Sequence, residues 1–114
     1  MKLVNAVIQS HRLEDVRDAL AAVGVEAITV YEVKRFGLQE QHTEFYRAAE
    51  YSVGFLPKTK LEFAVSDELA DRAVEALRDA ATTGEIGDGR IFVSELAQVV
   101  QIRSGKVNAA ADAL

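Results

Sequence analysis

Twice along this chain a helical apolar pattern is bracketed by short β-prone runs, and one long stretch without a sustained period separates the two units. In the first unit Leu13, Val16, Ala19, Leu20 and Val23 recur at spacings of three and four, with Glu14, Asp15, Arg17 and Asp18 on the opposite side. That spacing predicts an amphipathic helix closed by Gly24, a residue suited to the left-handed position just past a helix end. In the second unit Ser66, Asp67 and Glu68 supply a cap and first-turn acids, and Leu69, Ala73, Val74, Leu77 and Ala80 or Ala81 supply a buried face. This helix is expected to stop near Thr82, Thr83 and Gly84.

The β-prone runs are residues 3–8, 26–33, 60–65 and 98–103, and Gly87-Asp88-Gly89 marks a tight turn before Arg90-Ile91-Phe92-Val93. Residues 34–57 read as a loop of roughly 20 residues, far above the usual 4–6, and a loop of that length in a small domain carries function or is disordered. The C-terminal residues from Ala109 to Leu114 read as frayed or as a short helix. Strand, helix, strand, long loop, strand, helix, strand is the order of an α+β, ferredoxin-like (βαββαβ) domain, with four antiparallel strands under two helices. That fold hosts many unrelated activities, so function has to be read from the site.

At 114 residues there is room for a single domain spanning 1–114. The chain is 49% hydrophobic and 27% charged with one Pro, a composition that excludes disorder and collagen-like structure. Its net charge of −5 argues against a nonspecific nucleic-acid binder, so a basic site has to be local. With no Cys there is no disulfide, thiol nucleophile or thiolate metal site, which fits a cytoplasmic protein. The N-terminal residues turn polar too early for a secretory leader, and no apolar run approaches the roughly 18 residues of a membrane span.

Three groups of residues carry candidate chemistry. The segment from Thr83 to Arg90 combines three glycines with a cation and suits an anion-binding nest, although from the residues alone a plain helix-ending turn followed by a strand is the preferred reading. Lys58 and Lys60, with Arg103 on the last predicted strand, form a convergent basic set only if the fold joins them, which spacing cannot decide. The aromatic stretch from His42 to Tyr51 suits a partner-binding finger or a flap folded on the domain. His11 and His42 are the only histidines and make a poor mononuclear metal set, and no serine is linked by pattern to either. Nothing points to an enzyme.

The sequence resembles the PII nitrogen-regulatory signalling proteins over almost its whole length. The resemblance is carried by Glu32-Val33-Lys34, Phe36-Gly37, His42-Thr43-Glu44, Tyr46-Arg47, Ala49-Glu50-Tyr51, Phe55-Leu56-Pro57-Lys58 and the run Thr83-Gly84 through Ile86 to Val93. It implies a ferredoxin-like homotrimer that binds ATP or ADP in clefts between subunits and engages a target protein through a long T-loop, here about 37–55, followed by a C-terminal tail at about 104–114. Carried over by position, it implies that Gly87, Asp88, Gly89, Arg90 and Arg103 hold phosphates, that Thr29 and Glu62 lie near the base, and that Gly37, Gln39 and Lys58 complete the nucleotide set. Gln39, Lys58 and Gly87 match the 2-oxoglutarate site, Gln39 the Mg position, and Tyr51 a tyrosine uridylylated in many bacterial members.

Departures from the family pattern cluster on charge. Gln9, Leu38, Glu40, Glu85 and Gln101 are neutral or acidic where the common pattern carries Lys or Arg, and Gln41 replaces a loop glycine. Each lost charge-assisted contact removes about 1.5–3 kcal/mol where it was buried. The resemblance with these departures implies an adenine-nucleotide sensor without the standard 2-oxoglutarate response, acting in nitrogen regulation or on a transporter. A different reading is a CutA-like, metal-linked trimer of the same fold, with His42 and Glu44 as ligands. A slow ATPase using Lys58 is disfavoured because phosphoryl transfer needs the positive charge that these positions lack.

Overall fold

The computed structural model describes residues 1–25, 27–36 and 55–108. In chain order the elements are β1 (Lys2–Ile8), a 3-10 turn (Ser10–Arg12), α1 (Leu13–Ala22), β2 (Thr29–Phe36), β3 (Phe55–Val65), α2 (Asp67–Ala81) and β4 (Gly89–Glu95). The strands form one sheet in the order β2-β3-β1-β4, and every neighbouring pair is antiparallel. This is the ferredoxin-like arrangement, in which each helix returns the chain to a strand parallel to the one before it.

Strand alternation sorts the sheet into two faces. Val4, Ala6 and Ile8 of β1 and Leu61, Phe63 and Val65 of β3 are buried against Val16 and Leu20 of α1 and Ala70, Ala73, Leu77 and Ala81 of α2. The small alanines of α2 let that helix approach the sheet closely, while Leu20 and Leu77 fill the layer between; truncating either to Ala costs about 2–5 kcal/mol. Ser66 caps α2, its hydroxyl accepting from the Leu69 N–H at 3.3 Å. At the other end of α2, Arg12 donates from Nε and Nη2 to the Ala80 carbonyl at 2.9 and 2.7 Å, pinning that end to the start of α1.

Both helices fall where periodicity puts them. The strand boundaries differ in two places. β2 and β3 run to Phe36 and from Phe55, so the predicted 34–57 loop loses residues at both ends to a ladder in which Lys34 faces Pro57 and Phe36 faces Phe55. Pro57 is tolerated there because β1 ends opposite Thr59, which leaves Pro57 with a neighbouring strand on one side only. The second correction concerns the last strand, which is Gly89–Glu95 rather than 98–103. Residues 99–108 instead close on themselves, with a single bridge between Val100 and Val107. A β-prone run becomes a strand only where another strand meets it, and β1 is already taken by β4 through the register Lys2–Glu95 to Ile8–Gly89.

Candidate functional site

Because Val4, Ala6 and Ile8 point into the core, Leu3, Asn5 and Val7 face the side of the sheet that neither described helix covers. Register carries this face across the sheet. Val7 lies opposite Lys60 on β3 and Arg90 on β4, Lys60 lies opposite Tyr31, and Lys58 lies opposite Val33. The segment joining α2 to β4 borders the same face and closes a cleft of about 730 Å³. Five basic residues, Lys34, Arg35, Lys58, Lys60 and Arg90, line it against two acidic ones, Glu85 and Asp88. A chain of net charge −5 thus concentrates cations in one concave place.

Lys58 is the anchor of this cleft. It is 8% exposed, and its Nζ donates to the Gly87 carbonyl at 2.9 Å, which ties β3 to the turn before β4. An ammonium so enclosed is stabilised by oxygen acceptors, and an incoming anion supplies more of them. Lys60 sits with its ammonium 5.4 Å from the centre of the Tyr31 ring. The Tyr31 hydroxyl donates to Glu62 Oε1 at 2.7 Å, and that hydrogen bond, aided by desolvation, raises the Tyr31 pKa.

Asp88 looks out of place among cations until its partners are traced. Its Oδ2 accepts from the N–H groups of Thr83 and Gly84 at 2.8 and 3.0 Å, and its Oδ1 accepts from Gln9 Nε2 at 3.0 Å and from the Thr83 hydroxyl. These bonds, the Thr83 hydroxyl foremost, hold its pKa down to about 2. The carboxylate is the brace of the turn, satisfied from within the protein. Gly89, at φ +110, has no room for a side chain, since a Cβ there would fall 1.8 Å from the Val7 carbonyl oxygen. Gly87 at φ +96 and Gly89 make this a turn of the kind whose backbone N–H groups cup anions.

Comparison with known proteins bears on what this cleft is for. A family model described as nitrogen regulatory protein P-II matches residues 1–106. The chain belongs to the P-II family of nitrogen regulatory proteins. It is 51% identical over 111 residues to nitrogen regulatory protein GlnK of Escherichia coli K12, covering 97% of this chain and 99% of the relative. Nitrogen regulatory protein P-II of Rhizobium etli is 52% identical over 111 residues, with the same coverage, and that of Pasteurella multocida is 50% identical over 108 residues, covering 95% and 96%. The family comprises regulatory signalling proteins rather than enzymes, and no helix among the described residues is long and apolar enough to cross a membrane.

In this P-II chain the structure brings Lys58, Gly87, Asp88, Gly89 and Arg90 to one cleft, joining two groups of residues that spacing left apart. Thr29 and Glu62 face each other on the same uncovered face but do not line the cleft. Arg103 does not line it either: it lies exposed in a turn of the 99–108 segment, not on a strand. Gly37, Gln39 and Tyr51, together with His42 and Glu44, lie outside the described residues. Among the described residues no group of three or more His, Asp or Glu stands close enough to hold a metal ion.

Sequence reasoning missed several P-II cleft residues. Lys34 and Arg35 fall within the predicted 34–57 loop, and they line the cleft because β2 continues to Phe36. Gln9 counted only as a missing cation, whereas it bridges to Asp88. Alternation counted back from Lys58 through the ladder would have found Arg35, had the strand been extended.

Proposed function

We propose that this chain is a nucleotide-sensing regulator that binds ATP or ADP with its phosphates in the cationic cleft. The observation that carries this reading is the junction of Lys58, Arg90 and the Gly87–Gly89 turn in one cleft, which offers charge and backbone donors together. Gly89 fits close backbone approach, and the ionised Asp88 carboxylate is engaged by the N–H groups of Thr83 and Gly84 and by Gln9, while the five cations of the cleft outweigh its charge and that of Glu85.

The cleft of one chain holds the phosphate-binding half of the residue set. Thr29 and Glu62, proposed beside the base, and Arg103, proposed at a phosphate, stand outside it, so a neighbouring subunit is needed to complete the site. Two features favour such an assembly, which we propose to be a homotrimer. The uncovered face exposes Tyr31 and Phe92, and Asn5 Oδ1 on that face is buried with no hydrogen-bond partner among the described residues.

Signalling then follows from where the loop is rooted. Phe36 and Phe55, which flank the proposed T-loop, are paired in register, and Arg35 and Phe36 line the cleft. A bound nucleotide that touches one root biases the loop, and through it the affinity for a target protein in nitrogen regulation or transport. We assign the protein to the cytoplasm. Mg would be held at Gln39 with ATP, and 2-oxoglutarate at Gln39, Lys58 and Gly87. Lys58 keeps further N–H donors beside the one given to the Gly87 carbonyl. From Leu38, Gln41 and Gln101, which depart from the family pattern, we infer a weak response to the oxoacid.

Isothermal titration with ATP and ADP, with Mg and with or without 2-oxoglutarate, tests this reading, with sedimentation equilibrium for the trimer. Nucleotide binding little altered by the oxoacid is expected. Tightening of ATP by 2-oxoglutarate would restore the standard response, and no nucleotide binding would overturn the proposal.

A further inference from the structure

The ladder between β2 and β3 places a basic residue in the cleft that no comparison of charge patterns assigns. Arg35 lies opposite Leu56 and on the same face as Val33, whose partner is Lys58. Arg35 and Lys58 are thus a diagonal cross-strand pair, with backbones about 7–8 Å apart and side chains projecting to one side. Lys60 follows Lys58 two residues along β3, about 7 Å further. All three line the cleft. They form a row of cations that begins near the Lys60–Val7–Arg90 rung, passes Lys58 where it meets Gly87, and ends at Arg35 by the root of the 37–54 segment.

We propose that Arg35 is a further phosphate-binding residue of this cleft and the one that reads the length of the phosphate chain. A polyphosphate seated at Arg90 and the Gly87–Gly89 turn has its inner phosphates served by the turn and by Lys58. Only a longer chain extends to Arg35, whose planar fork of donors suits a terminal phosphate carrying two exposed oxygens. Arg35 also immediately precedes Phe36, the last residue of β2, so a contact to the terminal phosphate bears directly on the base of the following segment. The inference rests on the nucleotide reading above and sharpens it: this residue, at a position predicted as loop, lets the cleft separate a nucleoside triphosphate from a diphosphate.

The test is titration of the full chain and of Arg35→Ala and Arg35→Lys with ATP and ADP. Arg17→Ala, on the exposed side of α1, controls for the loss of one positive charge. Arg35→Ala is expected to weaken ATP about tenfold and ADP less than about twofold, with Arg35→Lys between and Arg17→Ala unchanged for both. Retained ADP affinity also reports that the variant is folded. Equal losses for ATP and ADP, or no loss for either, overturn the role of Arg35 while leaving the nucleotide site standing. Absence of nucleotide binding by the unaltered chain overturns the underlying reading, and this role with it.

Discussion

The Lys58 ammonium and the Gly87 carbonyl oxygen are 2.9 Å apart, although the two residues come from separate units of the chain. That bond holds the β3 strand against the turn before β4 and sets a nearly buried cation at the floor of the cleft. Replacing Lys58 by Met keeps most of the apolar stem but leaves the Gly87 carbonyl without this donor. The expected result is a stability loss of about 1–3 kcal/mol in urea unfolding, with ATP affinity down at least about tenfold by titration calorimetry. An unchanged affinity would remove Lys58 from the phosphate site.

Asp88 makes the turn sensitive to acid in a defined window. Its folded pKa of about 2 lies below its ordinary 3.8, so the folded protein binds fewer protons there than the unfolded chain does. Its stabilising contribution is present in full above about pH 4 and is lost as pH falls toward 2. A carboxyl titration followed by NMR should place the Asp88 midpoint near 2, and Asp88→Asn should flatten the acid limb of the unfolding curve. A midpoint close to 4 would mean that the bonds from Thr83, Gly84 and Gln9 are not made in solution.

Gly89 opens β4 at φ +110 with the Val7 carbonyl where a Cβ would go. Gly89→Ala has to distort the first rung of the β1–β4 ladder, and the left-handed backbone alone costs about 1–3 kcal/mol. Thermal unfolding is expected to show at least that loss, and nucleotide affinity should fall with it because the turn moves. Wild-type stability for this variant would show that the turn has another conformation.

Glu85 lines the cleft as one of its two acids, the other being Asp88, which is held by the Thr83 and Gly84 N–H groups. Reversing it in Glu85→Lys should raise ATP affinity several-fold at low ionic strength, with the gain shrinking as salt screens it. A titration series in NaCl checks this, and a gain independent of salt would point to a change in packing instead.

Much of the architecture was legible because it depends on local pattern. The apolar spacing from Leu13 to Val23, the Ser66 cap and the β-prone run at residues 3–8 each act within a few residues, and each is found in the structure. The fourth strand was not legible. Residues 98–103 are as β-prone as 89–95, and only the second run meets the open edge of β1. Pro57 gave a false stop for the opposite reason, since its cost depends on whether a strand lies on its amide side, which the β1–β3 register decides by ending β1 opposite Thr59.

The functional site divides along the same line. The sequence by itself determined the types of group available: three glycines and an Arg after α2, two lysines on β3, and a family pattern that gives those groups a meaning. Tertiary structure alone decided that Lys58 meets Gly87, that the Asp88 carboxylate is turned inward to Gln9 and Thr83, and that Arg35 joins the row of cations. The physical reason is range. Helix periodicity and capping are settled over a few residues, whereas convergence of charges from β2, β3 and the turn before β4 depends on strand order and register, which exist only once the sheet has closed.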